Sequence, residues 1–316
     1  MVYADGPADT LLKNSCVGCH SSTTAETKID LGNDTIVPIV YNTVEPTTPL
    51  AAGNFYWVVH DGDNYGHNVY GISAADGTLS AAPGSVTCAN SCHTSLALDV
   101  AGNGCQGCHN YLKHHGSDPA VGDPETDASG YYRFLSSPLD GEHLGSGGGP
   151  VNGVEDADWE YTTDASDHNV YYKGTGSDLG DLPESMGKFC AGCHAQFHSP
   201  GGATIYTDNG DGTSASPWLR HPADFAIPDI GEFANAAGGI VGTDYDSLVP
   251  VGKDLADTGN KNKVVAGDTV MCLSCHRAHG SPYPHMLRWQ NGDMRTGATV
   301  GGTAGTGCFK CHAAKD

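Results

Sequence analysis

The chain has little positive charge and little apolar material for its length. Its 316 residues include 15 Lys and Arg against 37 Asp and Glu, which gives a formal net charge of −22. Nucleic-acid binding depends on basic side chains that neutralise phosphates, so this balance excludes DNA and RNA as partners. Hydrophobic residues make up only 38 % of the chain, which is too little for an ordinary core of this size.

Long hydrophobic runs are also missing. No stretch of the sequence approaches the roughly 18 apolar residues of a membrane span, so we expect no membrane span. The first ten residues, MVYADGPADT, lack the basic and then apolar layout of a signal peptide. If the protein is exported, its leader is not in this numbering.

Turn-forming residues are abundant instead. The chain has 44 Gly and 17 Pro, and no long segment repeats apolar residues at the period of a helix or a strand. The fold class that this predicts is mostly irregular coil with short helices and few short strands. Something other than side chains must then fill much of the core.

The twelve cysteines all fall into one kind of motif, which is CxxCH at five places and CxxxCH at one. The pairs are Cys16 and Cys19, Cys88 and Cys92, Cys105 and Cys108, Cys190 and Cys193, Cys272 and Cys275, and Cys308 and Cys311. CxxCH is the attachment signature of c-type haem, in which two thioethers fix the porphyrin and the adjacent His binds the iron. The predicted proximal ligands are His20, His93, His109, His194, His276 and His312.

Zinc binding and disulfide bonding are the alternatives for these cysteines. A zinc ribbon does not require a His after every second Cys, and a disulfide scaffold has no use for that His. The pattern therefore predicts six covalent c-type haems, although the longer spacing at Cys88 and Cys92 is a rarer attachment form. Six large apolar macrocycles also explain how the chain manages with so little apolar sequence.

Histidine is the predicted second axial ligand of each iron. Ten of the 16 His are not proximal, whereas the five Met share no common local setting. His67 and His168 stand out because each lies in an HNVY segment with an Asp four residues before the His. Such an internal repeat favours a ligand role for both.

Six further histidines complete the predicted set of distal ligands. They are His114, His115, His143, His198, His221 and His279. Side chains of adjacent residues in an extended backbone point to opposite sides, so the first two can serve neighbouring haems. His198 and His279 follow a proximal His by four and three residues, within one helical turn, and are expected to reach a neighbouring haem. His60 and His285 are interpreted as structural or solvent-facing.

The histidine count also argues against catalysis. A multihaem reductase needs one iron with an open coordination site, whereas here every motif keeps its His and spare histidines outnumber the irons. We therefore expect an electron-transfer protein and no enzyme. Because electrons need a continuous haem chain, residues 1–316 are predicted to form a single hexahaem domain.

Six segments carry a resemblance to a known family. They are residues 53–58 (GNFYWV), 66–69 (GHNV), 155–160 (EDADWE), 218–222 (WLRHP), 271–281 (MCLSCHRAHGS) and 307–312 (GCFKCH). They resemble the multihaem c-type cytochromes of metal-reducing bacteria, which include hexahaem outer-surface cytochromes that polymerise into filaments. The resemblance implies export to the cell surface or beyond, bis-His ligation and long-range electron transfer, and it supports the eight distal candidates.

The same resemblance implies how the chain assembles. Head-to-tail association that does not close gives a fibre rather than a ring, and it buries the terminal haem edges against a neighbour. The expected partners are further copies of this chain, and other cytochromes or extracellular electron acceptors. The alternatives are a monomeric periplasmic or surface electron shuttle and a multihaem reductase.

Overall fold

The structure, a computed structural model, contains only short regular elements. It describes residues 16–32, 36–79, 82–84, 96–99, 103–109, 131–136, 149–174, 184–194, 204–205, 218–219, 221, 223, 225–294 and 307–312. The α-helices within these ranges are four to six residues long. They are α1 Cys16–His20, α2 Tyr56–His60, α3 Met186–Ala191 and α4 Cys272–Cys275. No helix of the described chain is long and apolar enough to cross a membrane.

The strands are two or three residues long. They are β1 Ser21–Ser22, β2 Lys28–Asp30, β3 Ile36–Pro38, β4 Tyr41–Asn42, β5 Gly153–Val154, β6 Val170–Tyr172, β7 Thr204–Ile205, β8 Trp218–Leu219, β9 Phe225–Ala226, β10 Gly252–Lys253 and β11 Thr269–Val270. The described chain also contains single 3₁₀ turns. These are Asp63–Tyr65, Gly104–Gly107, Tyr132–Phe134, Gly231–Phe233, Asn235–Ala237, Pro284–Met286, Asn291–Asp293 and Gly307–Lys310.

The largest sheet has five strands in the order β5-β6-β10-β11-β9. β6 and β10 run parallel, and the other neighbouring pairs are antiparallel. A buried ion pair between Lys253 and Asp268, 2.5 Å apart, ties β10 to the residue before β11. Because β11 ends at Val270 and α4 begins at Cys272, this sheet fixes the start of one CxxCH motif.

Among the described residues, most of the buried apolar side chains belong to three small clusters. The first joins the segment before β5 to α3 and α4; it consists of Tyr132, Leu135, Val151, Tyr171, Met186, Met271 and Leu273. The second lies between the 3₁₀ turns near residue 233 and β10; it consists of Ile227, Ile240, Val241, Tyr245, Val251 and Val264. The third contains Phe55, Val58 and Val69. Partly buried motif cysteines pack against all three clusters, so each cluster borders a predicted haem site.

The expected fold class, coil with short helices and few short strands, is confirmed. The physical reason is local. Glycines with positive φ recur along the chain, at Gly53, Gly71 and Gly174 among others, and each turns the backbone before a helix or strand can lengthen.

Candidate haem sites

Each described CxxCH motif begins within an α-helix or a 3₁₀ turn. In four of them the backbone N–H of the His donates to the carbonyl of the first Cys, which closes the turn. These bonds are His109 to Cys105 at 2.8 Å, and His194 to Cys190, His276 to Cys272 and His312 to Cys308 at 3.0 Å. The turn fixes both cysteines and the His relative to one another, as two thioethers and an axial ligand on one porphyrin require.

The cysteines of these motifs are not oxidised to disulfides. None of the ten described cysteines forms a disulfide bond, and each is half-buried or exposed, so their sulfurs can form thioether bonds. No group of three or more His, Cys, Asp or Glu side chains in the described chain converges to hold a metal ion directly. The remaining motif, with Cys88, Cys92 and His93, lies outside the described residues.

The proximal histidines share one hydrogen-bonding arrangement. In four of them Nδ1 lies 2.8 Å from a backbone carbonyl oxygen, which only accepts, so Nδ1 must carry the proton. The pairs are His20 with Pro38, His109 with Arg133, His194 with Pro83, and His276 with His285. Nε2 then keeps its lone pair, which is the tautomer of a metal-bound histidine. In the fifth, His312, Nδ1 lies 3.2 Å from a carboxylate oxygen of Glu232.

Two of these carbonyls belong to residues in the left-handed region of backbone conformation. Arg133 has φ +47° and His285 has φ +61°, and each is followed by a second residue with positive φ. Such a conformation costs a non-glycine residue about 1–2 kcal/mol. The strain turns the carbonyl toward the proximal imidazole, and His285 therefore acts through its backbone.

Three proximal rings each face a second histidine from a distant part of the chain. The ring centroids are 6.1 Å apart for His67 and His194, 6.2 Å for His109 and His279, and 6.1 Å for His221 and His312. An imidazole nitrogen binds a transition metal at about 2 Å, so two rings on opposite sides of one ion have centroids about 6 Å apart. The observed separations fit a single iron between each pair.

The buried rings are held neutral, as iron binding requires. Burial, with a smaller contribution from the ring of His67, lowers the pKa of His194 to about 4. Burial, followed by the ring of His109, lowers the pKa of His279 to about 3. Burial also lowers the pKa of His67, although its hydrogen bond to the carbonyl of Ala278, 2.6 Å away, opposes this effect.

His168 provides a direct test of whether the residues present suit a haem. Its side chain is buried, and its ring stacks on Tyr245 with centroids 3.8 Å apart. Nδ1 lies 2.8 Å from the carbonyl oxygen of Asn169, and Nε2 is buried without a hydrogen-bond partner. A buried nitrogen lone pair without a donor is costly unless it binds a metal, so the donor set of this residue fits an axial ligand.

Close backbone contacts bring His67 and His279 together. Gly66 precedes the first histidine and Gly280 follows the second, and the two glycines form an antiparallel bridge. A Cβ on Gly66 would lie 2.6 Å from the carbonyl oxygen of His279, and one on Gly280 would lie 2.7 Å from that of Asn54. Only glycine allows this approach, so these two positions keep both distal candidates in place.

The thiols of several described motifs also influence one another's ionisation. A hydrogen bond to the Cys105 thiol lowers the pKa of Cys16 to about 6. Burial, with a smaller charge interaction from Cys193, raises the pKa of Cys108 to about 12. Burial raises the pKa of Cys275 to about 12 as well, and Cys308 and Cys311 add to the rise. Motifs far apart in sequence are thus neighbours in space.

Sequence reasoning about His279 was wrong in one respect. α4 ends at Cys275 and His276 is extended, so the two histidines do not share a helical turn. His279 instead stacks on Phe55, with ring centroids 4.6 Å apart, and faces His109.

Other predicted ligands lie outside the described residues; they are His114, His115, His143 and His198. His60 is exposed and stacks on Tyr56.

The partners of the imidazole Nδ1 atoms were missed by sequence reasoning. Pro38, Pro83 and Arg133 hold proximal histidines through backbone oxygens, which leave no mark in a sequence. Glu232 carries a side-chain signal, but it lies 80 residues from His312. No local pattern could connect the two.

Comparison with known proteins agrees with this picture. The family described as the doubled CXXCH motif matches residues 262–316. The C-type cytochrome OmcS of Geobacter sulfurreducens is 26 % identical over 336 aligned residues, covering 87 % of this chain and 70 % of the relative. The solved structure of the Outer Membrane Cytochrome S filament from the same organism is 21 % identical with a TM-score of 0.50, covering 88 % of this chain and 74 % of the other.

A second solved structure, of the OmcS nanowires from Geobacter sulfurreducens, is 22 % identical with a TM-score of 0.45, covering 87 % and 74 % of the two chains. The family match, the similarity to the cytochrome OmcS and the filament structure with a TM-score of 0.50 confirm the predicted resemblance to multihaem c-type cytochromes, and that structure confirms the fold class. The prediction of an electron-transfer cytochrome rather than an enzyme is also confirmed.

Proposed function

We propose that this chain carries six covalent c-type haems, each with two axial histidines, in one continuous chain for electron transfer. The observation that supports this best is the threefold recurrence of a proximal and a distal histidine about 6 Å apart. Three such pairs, each joining distant segments, are the arrangement that bis-His irons require. The whole of residues 1–316 then forms one domain around its cofactors.

Three axial pairs follow from this geometry. His67 is the distal ligand opposite His194, His279 is opposite His109, and His221 is opposite His312. The haems of His20, His93 and His276 take their distal ligands from the remaining candidates. Those are His114, His115, His143, His168 and His198.

The order of the haems is inferred from which motifs influence one another. A hydrogen bond to Cys105 lowers the pKa of Cys16, the charge of Cys193 adds to the raised pKa of Cys108, and the charges of Cys308 and Cys311 add to that of Cys275. The charge of His276 also contributes, as the smallest cause, to the lowered pKa of His194, which supports a link between the two groups. The proposed sequence of haems along the path is therefore that of the motifs at 16–19, 105–108, 190–193, 272–275 and 308–311.

The residues of the chain have three tasks in this mechanism. A haem iron bound at these motifs would supply one-electron chemistry. The Nε2 atoms of the paired histidines would hold that iron, which would leave no position on it open to a substrate. The carbonyls of residues such as Pro38 and Arg133 fix the imidazole orientation, so oxidation and reduction require little rearrangement. The apolar clusters exclude water.

Assembly into an extracellular filament is the second part of the proposal. The relative with the similar fold was solved as a filament of an outer membrane cytochrome. Head-to-tail association would join the terminal haems of successive subunits and extend the electron path. The partners are then other copies of this chain, with other cytochromes or extracellular acceptors at the ends. A monomeric surface shuttle is the alternative.

Intact-mass measurement of the exported protein tests the haem number. The mass should exceed that of the polypeptide by six haems, and a chain with Cys88→Ala and Cys92→Ala should carry five. Five haems in the unaltered chain, with two thiols open to alkylation, would refute the sixth site. Electron microscopy of the native protein tests assembly, since filaments are expected and globular particles alone at high concentration would leave only the monomeric shuttle.

A further inference from the structure

The proximal histidine of the last motif differs from the others in what holds it. The Nδ1 of His312 lies 3.2 Å from a carboxylate oxygen of Glu232, whereas the other four described proximal rings bind backbone carbonyls. Glu232 is in the 3₁₀ turn Gly231–Phe233, and Phe233 packs edge-on against the same ring with centroids 5.5 Å apart. The side chains of Glu232 and His312 are 19 % and 27 % exposed, so solvent only partly screens the contact.

No cation among the described residues offsets this carboxylate. The nearest basic side chain on the motif is Lys310, and its Nζ lies 3.1 Å from Asp246. Within the described chain Glu232 forms an ion pair with no Lys or Arg. A full negative charge therefore faces the back of the axial imidazole.

The neighbouring motif has the opposite electrostatics. There Nδ1 of His276 binds the carbonyl of His285, and the guanidinium of Arg288 donates to the carbonyl of His276 itself, with N to O 3.2 Å. Arg288 is buried and donates elsewhere only to backbone carbonyls of the described residues. One axial histidine thus borders an anion and the next borders a cation.

We propose that Glu232 is a tuning residue that lowers the reduction potential of the haem at Cys308 and Cys311 below that of the haem at Cys272 and Cys275. A carboxylate that accepts from Nδ1 makes Nε2 a stronger electron donor, and its charge favours the more positive ferric iron. The inference rests on the proposed function, because it requires a haem at each of these two motifs.

The consequence is a direction for electron transfer at this end of the chain. With haems held by His312 and His276, one electron would pass from the ferrous haem of the last motif to the ferric haem of its neighbour, so that the first becomes ferric and the second ferrous. No bond would form or break, and the proton on Nδ1 of His312 would stay where it is. The last motif is then the side from which electrons enter the pair.

Redox titration of the six-haem protein, followed by its visible spectrum, tests the proposal. A chain with Cys308→Ala and Cys311→Ala lacks the last haem, and the step that disappears identifies that haem. Glu232→Gln keeps an oxygen acceptor and removes the charge, so the identified step should move to more positive potential. A tenfold change in the ferric-to-ferrous equilibrium, about 59 mV for one electron, is the expected size.

Two control variants separate the hydrogen bond from general charge. Asp246 forms an ion pair with Lys310, which belongs to the last motif. Asp246→Asn therefore removes a carboxylate near that motif and leaves the bond between Glu232 and His312 in place. Glu45→Gln removes an exposed carboxylate elsewhere. In both variants the potential of the last haem should move by only a small fraction of the shift that Glu232→Gln causes. The proposal would be overturned if none of the six redox steps moved in Glu232→Gln, or if Asp246→Asn shifted the step of the last haem as much as Glu232→Gln does.

The outcomes also distinguish this proposal from the proposed function. Fewer than six haems in the unaltered chain would contradict the function, whereas six haems with an insensitive last step would contradict only the role of Glu232. If Glu232→Gln loses a haem, Glu232→Asp is measured instead, since it keeps the charge and lengthens the contact. An Asp variant with six haems and six unmoved steps would then refute the proposal.

Discussion

The motifs at Cys272–His276 and Cys308–His312 are alike in sequence and differ in surroundings. The first follows a sheet strand, its helix is buried at Leu273 and Ser274, and segment 284–288 folds back over it. The second is a 3₁₀ turn against Trp289 and Met294, with a charged carboxylate on its histidine. The motif thus determines attachment, while distant residues determine the electrostatics of each haem.

The largest effect in this comparison is expected from Arg288, the buried guanidinium beside the first motif. Its nitrogens donate to carbonyls of Leu273, His276, Ser247 and Ala51. Arg288→Met leaves these buried acceptors unpaired, so the free energy of unfolding should fall by about 3–5 kcal/mol. Guanidinium unfolding of the haem-loaded protein measures this. Arg288→Lys keeps the charge but has fewer donors, so its free energy of unfolding should fall by less. An equal fall in the two variants would contradict the role of the Arg288 hydrogen bonds.

The next effect concerns the distal side of the last motif. His221 faces His312 across 6.1 Å, so His221→Ala should open one iron. About one haem in six should become high-spin and bind carbon monoxide when reduced. The matched control is His60→Ala, because His60 is exposed on α2 and opposes no proximal ring among the described residues. Carbon monoxide binding unchanged by His221→Ala would contradict the assigned pair.

A smaller effect is expected at Gly307, which begins the turn of the last motif. Its φ is +54°, and a Cβ there would lie 2.6 Å from the sulfur of Met294. Gly307→Ala should lower the free energy of unfolding by about 1–3 kcal/mol and weaken haem attachment at Cys308. Gly259→Ala is the control, since its nearest contact is 3.7 Å away. Equal stability losses in the two variants would show that the turn is not strained.

The smallest effect should come from His285, which acts through its carbonyl. Because φ is +61° there, His285→Gly relieves strain and should raise the free energy of unfolding by up to about 1 kcal/mol. The bond to His276 and the redox steps should stay unchanged. A lost or newly five-coordinate haem in this variant would show that the imidazole of His285, rather than its carbonyl, serves an iron.

Features that depend on neighbouring residues could be predicted from the sequence, whereas the pairing of histidines from distant segments could not. Motif turns, irregular fold and the His67 candidate follow from CxxCH, glycine content and the HNVY repeat, all of which are readable along the chain. The pairing of His67 with His194 is not readable, because it depends on the crossing of Gly66 and Gly280, which are 214 residues apart. Glu232 and the strained carbonyl of His285 depend on tertiary contacts in the same way.

The most direct test of the central claim is a side-chain-resolution cryo-EM map of the native, haem-loaded protein. Six haems are expected, with His67 and His194 on one iron, His109 and His279 on a second, and His221 and His312 on a third. Neighbouring haems should follow the order of the motifs at 16–19, 105–108, 190–193, 272–275 and 308–311. A map in which these histidines bind different irons, or none, would contradict the account.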